Sequence, residues 1–468
     1  MRARRGQFAR DRPVRGSEQD HREVPRDPGD VGGHDDHRGR VPREVPLQAE
    51  EIASPEKRRN RRVPDAQFYH VAAFSVGREE TSGRGVPGYH HPFRRPGRGA
   101  GREPRYVPRR LRRARLADRR RGHSSSGSAR SRRVRARTRP TRAGGGAGGD
   151  RERTDFCEVT ALVSGSPEKA RRVADEYGVE SVLDYDEFEA GEGTEDFDAV
   201  YVAGPNALHL DYARTAADHG KHVLCEKPIE VSADRAREMA RACEEAGVTL
   251  MVAYRPQVEP AMRRLREMVR DGVLGDPVQF HGWFSGHILR QGGPDQWRLD
   301  PEMAGGGALM DVGVYPLNAV RFLLDANPVA VRATTSTPDE TFEGVDEHVA
   351  FQLEFPEGAT ASCTASYRAQ ADDRLRLVGT EGQATLEPAF NSEIHPTLAV
   401  ERGDERVEYT GPYVNEVREE FDYFAHCALT DATPEPDGRD SVADMEAVEA
   451  VYESAETGRR VEVGDVDV

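Results

Sequence analysis

The sequence predicts an α/β unit built on a doubly wound parallel sheet, followed by an α+β unit on a mainly antiparallel open sheet. Three observations carry this reading. From residue 156 to 272, short apolar runs alternate with amphipathic runs of helix length. Beyond 273, strand-like runs follow one another with hairpin signals such as Pro356-Glu-Gly358 between them. The charge also changes sign along the chain. Residues 1–150 hold 38 Lys+Arg against 18 Asp+Glu, whereas 151–468 hold 29 against 64.

The first unit, 1–155, is Arg-, Gly- and Pro-rich. Lys57 is the one lysine among its first 150 residues, and Leu47, Leu111, Leu116 and Ile52 are the leucines and isoleucine. So little apolar material cannot offset the entropy of ordering, and a disordered segment is expected. Arginine-rich, lysine-poor text of this kind is what a GC-rich gene yields when translated in the wrong frame or from a wrong start, so a non-native reading is expected. The competing reading is a basic tail that binds nucleic acid through phosphates. No aromatic residue follows Tyr106 within the densest basic stretch, 102–142, so stacking has no platform there and no nucleic-acid partner is expected. Gly144 to Gly149 formally fits G-x-G-x-x-G. No apolar strand precedes it and no helix fits between it and Val159, so it is read as a decoy.

From Phe156 onward the elements can be assigned in order. Val159–Val163 is a buried strand, Ser164 to Pro167 a turn, and a helix follows with Ala170, Val173, Ala174 and Tyr177 on one face, closed by Gly178. A short strand lies near Val182. Ala199–Ala203 is a strand ending in Gly204-Pro205-Asn206, and Leu208–His219 is a helix stopped by Gly220. Val223–Cys225 is the next strand. Ser232 caps a helix that runs to Ala246, Gly247 ends it, and Leu250–Ala253 is a strand. Pro260–Arg270 is a helix. Strand-like runs then lie at 278–284, 329–335, 348–355, 360–367, 374–378, 383–387 and 398–409, and helices at 415–428 and 441–456.

Two stretches carry chemistry. Strand 223–225 delivers Glu226 and Lys227 to its carboxyl end, and Pro228, with no N–H, stops the ladder. Ligands of open parallel sheets bind outside these strand ends, where a lysine places a positive charge beside a phosphate, a ribose or a reacting oxygen. The second stretch is Gly305-Gly306-Gly307, whose glycines allow close backbone approach to a ligand. In a helix that starts just after them, Asp311, Tyr315 and Asn318 fall at i, i+4 and i+7 on one face. A carboxylate and a phenol one turn apart suit a polyol and the removal of its proton. A free phenol titrates near pH ~10, so a general base here needs a nearby ammonium, and Lys227 is the candidate.

These residues resemble the glucose–fructose oxidoreductase / inositol dehydrogenase (Gfo/Idh/MocA) family over about 156–465. Glu226-Lys227-Pro228 matches its E-K-P motif, Gly305 to Tyr315 its G-G-G-x-x-x-D-x-G-x-[HY] motif, and Pro205-Asn206 with His209 its P-N-x-x-H segment. The resemblance implies a Rossmann-like dinucleotide-binding domain at 156–272 and an α+β substrate and oligomerisation domain at 273–468. It implies hydride transfer from a sugar or polyol carbon to a nicotinamide cofactor. Tyr315 and Lys227 would be catalytic. Asp311 and Asn318, with Arg255 and Trp297, would bind substrate. Pro205, Asn206, His209, Glu226 and Lys227 would face the cofactor. The tyrosine subgroup points to an aldose oxidised at C1, D-xylose first. An inositol or diol dehydrogenase and a non-catalytic ligand-binding relative remain alternatives.

Cofactor choice rests on the end of the second strand. An NAD-preferring site places Asp or Glu there. Here it carries Ser164-Gly165-Ser166, with Lys169 one turn into the helix, a set suited to a 2′-phosphate, and NADP is predicted. The family opens with a strand and a glycine-rich turn that carries the pyrophosphate, due about 20–30 residues before Ser164. Residues 132–150 hold neither, so the dinucleotide domain is expected to lack its first strand, glycine turn and first helix, and to bind its cofactor poorly as written.

The five cysteines contain no C-x-x-C pair, which suits reduced thiols. No apolar run approaches a membrane span, and a cytoplasmic enzyme with a small-molecule sugar substrate is expected, as a homo-oligomer (dimer or tetramer). The acid-rich body, with Lys169, Lys221 and Lys227 its only lysines, is read as salt adaptation.

Overall fold

The computed structural model describes residues 70–77, 154–392 and 394–464. The decoy glycines at 144–149 and the basic stretch 102–142 lie outside the described residues. The first sheet has six strands, β1 (His70–Val76), β2 (Cys157–Val163), β3 (Ser181–Leu183), β4 (Ala199–Ala203), β5 (His222–Glu226) and β6 (Leu250–Ala253), in the order β3-β2-β1-β4-β5-β6. Neighbouring pairs β2/β3, β4/β5 and β5/β6 are parallel, so the carboxyl ends of these five strands share one edge. Helices α1 (Pro167–Tyr177), α2 (Tyr185–Glu189), α3 (His209–Asp218) and α4 (Ala233–Ala246) connect them. The Ser232 side chain accepts from Arg235 N at the start of α4, and Gly247 ends it in the left-handed conformation, both as the sequence predicts.

One expectation is corrected here. Residues 1–155 were expected to add no strand, yet β1 fills the slot between β2 and β4, running antiparallel to both. Its segment, His-Val-Ala-Ala-Phe-Ser-Val, is the locally apolar part of a basic region, and the average composition conceals it. Val71 and Ala73 join one core, while Phe74 enters the core on the other face of the sheet. Because β1 is reversed, its start rather than its end lies at the carboxyl edge of the sheet. A pyrophosphate turn following β1 would therefore leave from the opposite edge.

After helix α5 (Pro260–Arg270), a second sheet of nine strands follows. Its members are β7 (Pro277–His287), β8 (Ala330–Ser336), β9 (His348–Glu354), β10 (Thr360–Ser366), β11 (Arg368–Gly379), β12 (Gln383–Glu387), β13 (Thr397–Arg402), β14 (Glu405–Tyr409) and β15 (Val461–Glu462). Their order is β14-β13-β12-β11-β7-β10-β9-β8-β15, and only β7/β10 is parallel. The run expected at 398–409 is a hairpin. Arg402 pairs with Glu405 across a turn in which Gly403 has φ 59°. Between β7 and β8 lie the short helices α6 (Leu289–Gly292) and α7 (Pro301–Ala304), a π turn at Leu309–Gly313 and helix α8 (Val314–Leu324).

Helices α9 (Glu416–Thr430) and α10 (Gly438–Thr457) lie between β14 and β15. Phe424 of α9 packs with Phe74, Ala199, Leu224, Met251 and Ala253, so the last part of the chain covers a face of the first sheet. The Phe74 ring lies 5.5 Å from Phe421 and 5.7 Å from Phe424, centroid to centroid. A fully buried phenylalanine truncated to alanine costs roughly 3–5 kcal/mol. Phe74→Ala should therefore lower stability by about that amount in chemical denaturation; an unchanged midpoint would remove β1 from the sheet.

Candidate active site

The carboxyl ends of β4, β5 and β6 face β7, the α6–α7 segment and the π turn across a cleft of about 740 Å³. The cleft is lined by Tyr201, Asn206, Glu226, Lys227, Arg255, His287, Gln296, Trp297, Arg298, Gly306, Asp311, Tyr315 and Tyr367, among others. Lys227 leaves the end of β5 and crosses to the π turn. Its Nζ donates to the Asp311 carbonyl oxygen at 2.7 Å and to Asp311 Oδ1 at 3.0 Å. The same Nζ stands 4.7 Å from the centroid of the Tyr315 ring. The three predicted residues are thus brought together in one place.

Electrostatics keep the pair charged. Burial works against the Lys227 ammonium, but Asp311, Tyr315 and Glu226 around it raise its pKa above the ordinary lysine value. Burial would likewise raise the Asp311 carboxyl, but Lys227, then Arg298, hold it down at about 2. Arg298 Nε lies 3.4 Å from Asp311 Oδ2, so each carboxylate oxygen faces a different cation.

Tyr315 is buried in an aromatic box. Phe284, Phe390 and Tyr254 surround its ring at 5.4, 5.9 and 6.5 Å. Arg255 stands beside it, with Cζ 5.3 Å from the ring centroid, and is held by Glu416 Oε2 at 2.5 Å and by the Phe390 carbonyl. Trp297 lines the cleft with the Arg298 guanidinium 4.5 Å over its ring. Glu226 accepts from the Tyr201 hydroxyl at 2.5 Å and from Lys227 N at 3.2 Å.

The glycines meet the protein's own backbone more closely than a ligand's. A Cβ on Gly307 would stand 2.1 Å from the Asp346 carbonyl oxygen, and one on Gly306 would stand 2.0 Å from the Tyr452 hydroxyl. This close approach lets the buried Asp346 carboxylate accept from Gly307 N at 2.7 Å and Leu309 N at 2.8 Å, which pins the start of the π turn. Gly306 still lines the cleft.

Among the residues predicted for the sugar and nicotinamide end, Asn318, His209 and Pro205 do not line the cleft. Asn318 is buried, accepting from Gln257 Nε2 and donating to Asp444 Oδ2, both at 2.9 Å. The predicted i+7 alignment assumes an unbroken α-helix. The i→i+5 bonding of the π turn changes the phase before Asn318. His209 is fully buried. Its Nδ1 lies 3.1 Å from the Pro228 carbonyl oxygen and its Nε2 3.0 Å from that of Gly204, so it ties two strand-end turns together rather than facing a nicotinamide. Asn206 lines the cleft and donates to the Ala304 carbonyl at 2.8 Å, and Pro205 is buried just before it.

Ser164, Gly165, Ser166 and Lys169 lie at the end of β2 and in the first turn of α1. A Cβ on Gly165 would meet the Tyr185 ring at 2.9 Å. The Ser166 hydroxyl makes no capping bond to α1, which leaves it and the helix N-terminus suited to an anion. Sequence reasoning missed Arg298, Tyr201 and Tyr367. For Tyr201 the available signal was a polar-tipped aromatic inside the apolar strand Ala-Val-Tyr-Val-Ala. Arg298 carries no such local signal, because Asp311 becomes its partner only through the fold.

Comparison with known proteins follows the same division into layers. A family model for the oxidoreductase family, NAD-binding Rossmann fold, matches residues 143–254, and one for the GFO/IDH/MocA C-terminal domain matches 262–385. A D-xylose 1-dehydrogenase [NADP(+)] of Haloarcula marismortui is 47% identical over 306 residues, 65% of this chain and 85% of the relative. D-xylose 1-dehydrogenase (NADP(+)) 2 of Haloferax volcanii is 39% identical over 310 residues, 65% of this chain and 92% of the relative. The crystal structure of aldose–aldose oxidoreductase from Caulobacter crescentus, complexed with glycerol, superposes with a TM-score of 0.62 at 36% identity, covering 65% of this chain and 91% of that one. A strand-end lysine, a π-turn aspartate and a buried tyrosine meeting between two sheets that relatives of this identity match over most of their length make the chain a member of the Gfo/Idh/MocA oxidoreductase family.

Proposed function

We propose that the chain is an NADP-dependent aldose 1-dehydrogenase, with D-xylose as the first substrate to test. The observation that carries the reading is the cluster in which Lys227 Nζ lies 3.0 Å from Asp311 and 4.7 Å from the Tyr315 ring inside one cleft. The names of the two similar proteins from Haloarcula and Haloferax, both NADP(+)-dependent D-xylose 1-dehydrogenases, support the choice of sugar and of NADP.

The residues fit the cofactor at its two ribose ends. Lys227, Asn206 and Glu226 line the cleft where the nicotinamide ribose would sit. Ser164, Ser166, Lys169 and the α1 N-terminus, with no carboxylate at the end of β2, suit a 2′-phosphate. Bound NADP would supply the hydride acceptor.

The chain's own residues do the rest. Lys227 has three N–H donors. Two point to Asp311, so the third can reach a sugar oxygen. Tyr315, beside it, takes the proton of that hydroxyl. Asp311, kept ionised, fixes Lys227 and orients neighbouring hydroxyls, and Trp297 forms an apolar wall. The acid-rich, lysine-poor body supports a salt-adapted enzyme, and we propose that it works in the cytoplasm as a homo-oligomer.

Absorbance at 340 nm with D-xylose and NADP tests the activity. Tyr315→Phe should lower kcat by roughly 10²-fold or more with the fold intact, and Lys227→Ala comparably, together with the stability cost of a broken buried pair; near-normal turnover of either would remove the mechanism. KM for NADP should be below that for NAD, and the reverse order would overturn the cofactor choice. Removing one partner of a buried ion pair costs roughly 3–5 kcal/mol, so Asp311→Asn should lose stability on that scale. Because the Asp311 carboxyl is depressed to about 2, its contribution is present above its ordinary range and is lost as pH falls through about 2. The gap between wild type and Asp311→Asn in denaturation midpoint should accordingly hold at neutral pH and close in acid.

A further inference from the structure

Arg255 was expected to bind substrate, and its surroundings suggest a different task. It follows β6 at the mouth of the cleft, in a 3₁₀ turn at Arg255–Val258. Its guanidinium is held from behind by Glu416 of α9 at 2.5 Å and by the Phe390 carbonyl. Glu416 is buried, so the clamp is shielded from solvent. The forward face of the guanidinium lies against Tyr315, 5.3 Å from its ring centroid. With Lys227 Nζ 4.7 Å from the same centroid, the phenol stands between two fixed cations inside a box of Tyr254, Phe284 and Phe390. Of the five N–H donors of the guanidinium, one goes to Glu416, one to the Phe390 carbonyl and a further bond runs to Tyr315, so much of the fork is occupied by the protein itself.

We propose that Arg255, clamped by Glu416, is a positioning residue that holds the Tyr315 phenol for proton transfer and acts through it rather than on the sugar. The inference rests on Tyr315 as the proton acceptor. The charged groups around this phenol are Lys227 from β5, with Asp311 behind it, and Arg255, with Glu416 and Glu420 of α9 behind it. Without the guanidinium the ring loses one of the two fixed groups that hold it, so turnover should fall while sugar binding is kept.

The test measures kcat and KM for Arg255→Met, Arg255→Lys and Glu416→Gln with D-xylose and NADP. Arg255→Met should lose about tenfold or more in kcat and keep KM for the sugar within about threefold. Arg255→Lys should recover part of the loss, and Glu416→Gln should show a smaller loss in kcat. If Arg255→Met does not fold, these two carry the test. In a Tyr315→Phe background, Arg255→Met should add little further loss, because both changes remove the same function. A tenfold rise in KM with kcat unchanged would overturn the proposal and give Arg255 to the sugar. A Tyr315→Phe enzyme with normal turnover overturns the parent reading. A slow Tyr315→Phe enzyme beside wild-type kcat for the Arg255 variants overturns only the role of Arg255.

Discussion

An ammonium taken out of water at the end of a strand needs a carboxylate, and here the carboxylate comes from the other sheet's layer. Lys227 belongs to the six-stranded sheet and Asp311 to the π turn that leans on the nine-stranded one. Desolvating two charges costs several kcal/mol per ion, so such a pair persists only with good geometry and further partners. Both are present. The ammonium reaches two oxygens of Asp311, and Arg298 stands at the carboxylate oxygen that Lys227 leaves. This contact bridges the two layers across the cleft. The buried Asp346 and the glycines packed against it serve the same end, because they fix where the π turn begins.

Much of this was legible in the sequence, for a physical reason. Strand ends and glycine runs are local features, so Glu226-Lys227-Pro228 and Gly305-Gly306-Gly307 could be placed before any fold was known. The meeting of Lys227, Asp311 and Tyr315 followed from where parallel strands end. The errors share a cause as well. Asn318 was assigned by assuming an ordinary helical phase, and a π turn is invisible to periodicity. His209 was assigned by motif, but a ring with both nitrogens on backbone carbonyls is a strut between turns. The 398–409 run was read as one strand because Gly403-Asp404 interrupts its β pattern for only two residues.

The last helices complicate a simple split into an early nucleotide-binding half and a late substrate half. Helix α9 brings Phe421 and Phe424 against the first sheet and Glu416 against Arg255 beside the reacting centre. The closing segment of the chain therefore supports the back of the sheet and the wall of the cleft at once. A small shift of this helix would be felt at both places, since packed interiors transmit displacement rather than absorb it.

Strand β1 and strand β2 lie side by side and antiparallel, with Val76 opposite Cys157 and Gly77 N donating to the Phe156 carbonyl at 2.9 Å. Val76 and Cys157, the facing ends of the two strands, lie side by side on the edge of the sheet away from the cleft. Closing a loop costs free energy that grows only with the logarithm of its length. By that measure the length of chain between Gly77 and Thr154 weighs little on the pairing of the two strands.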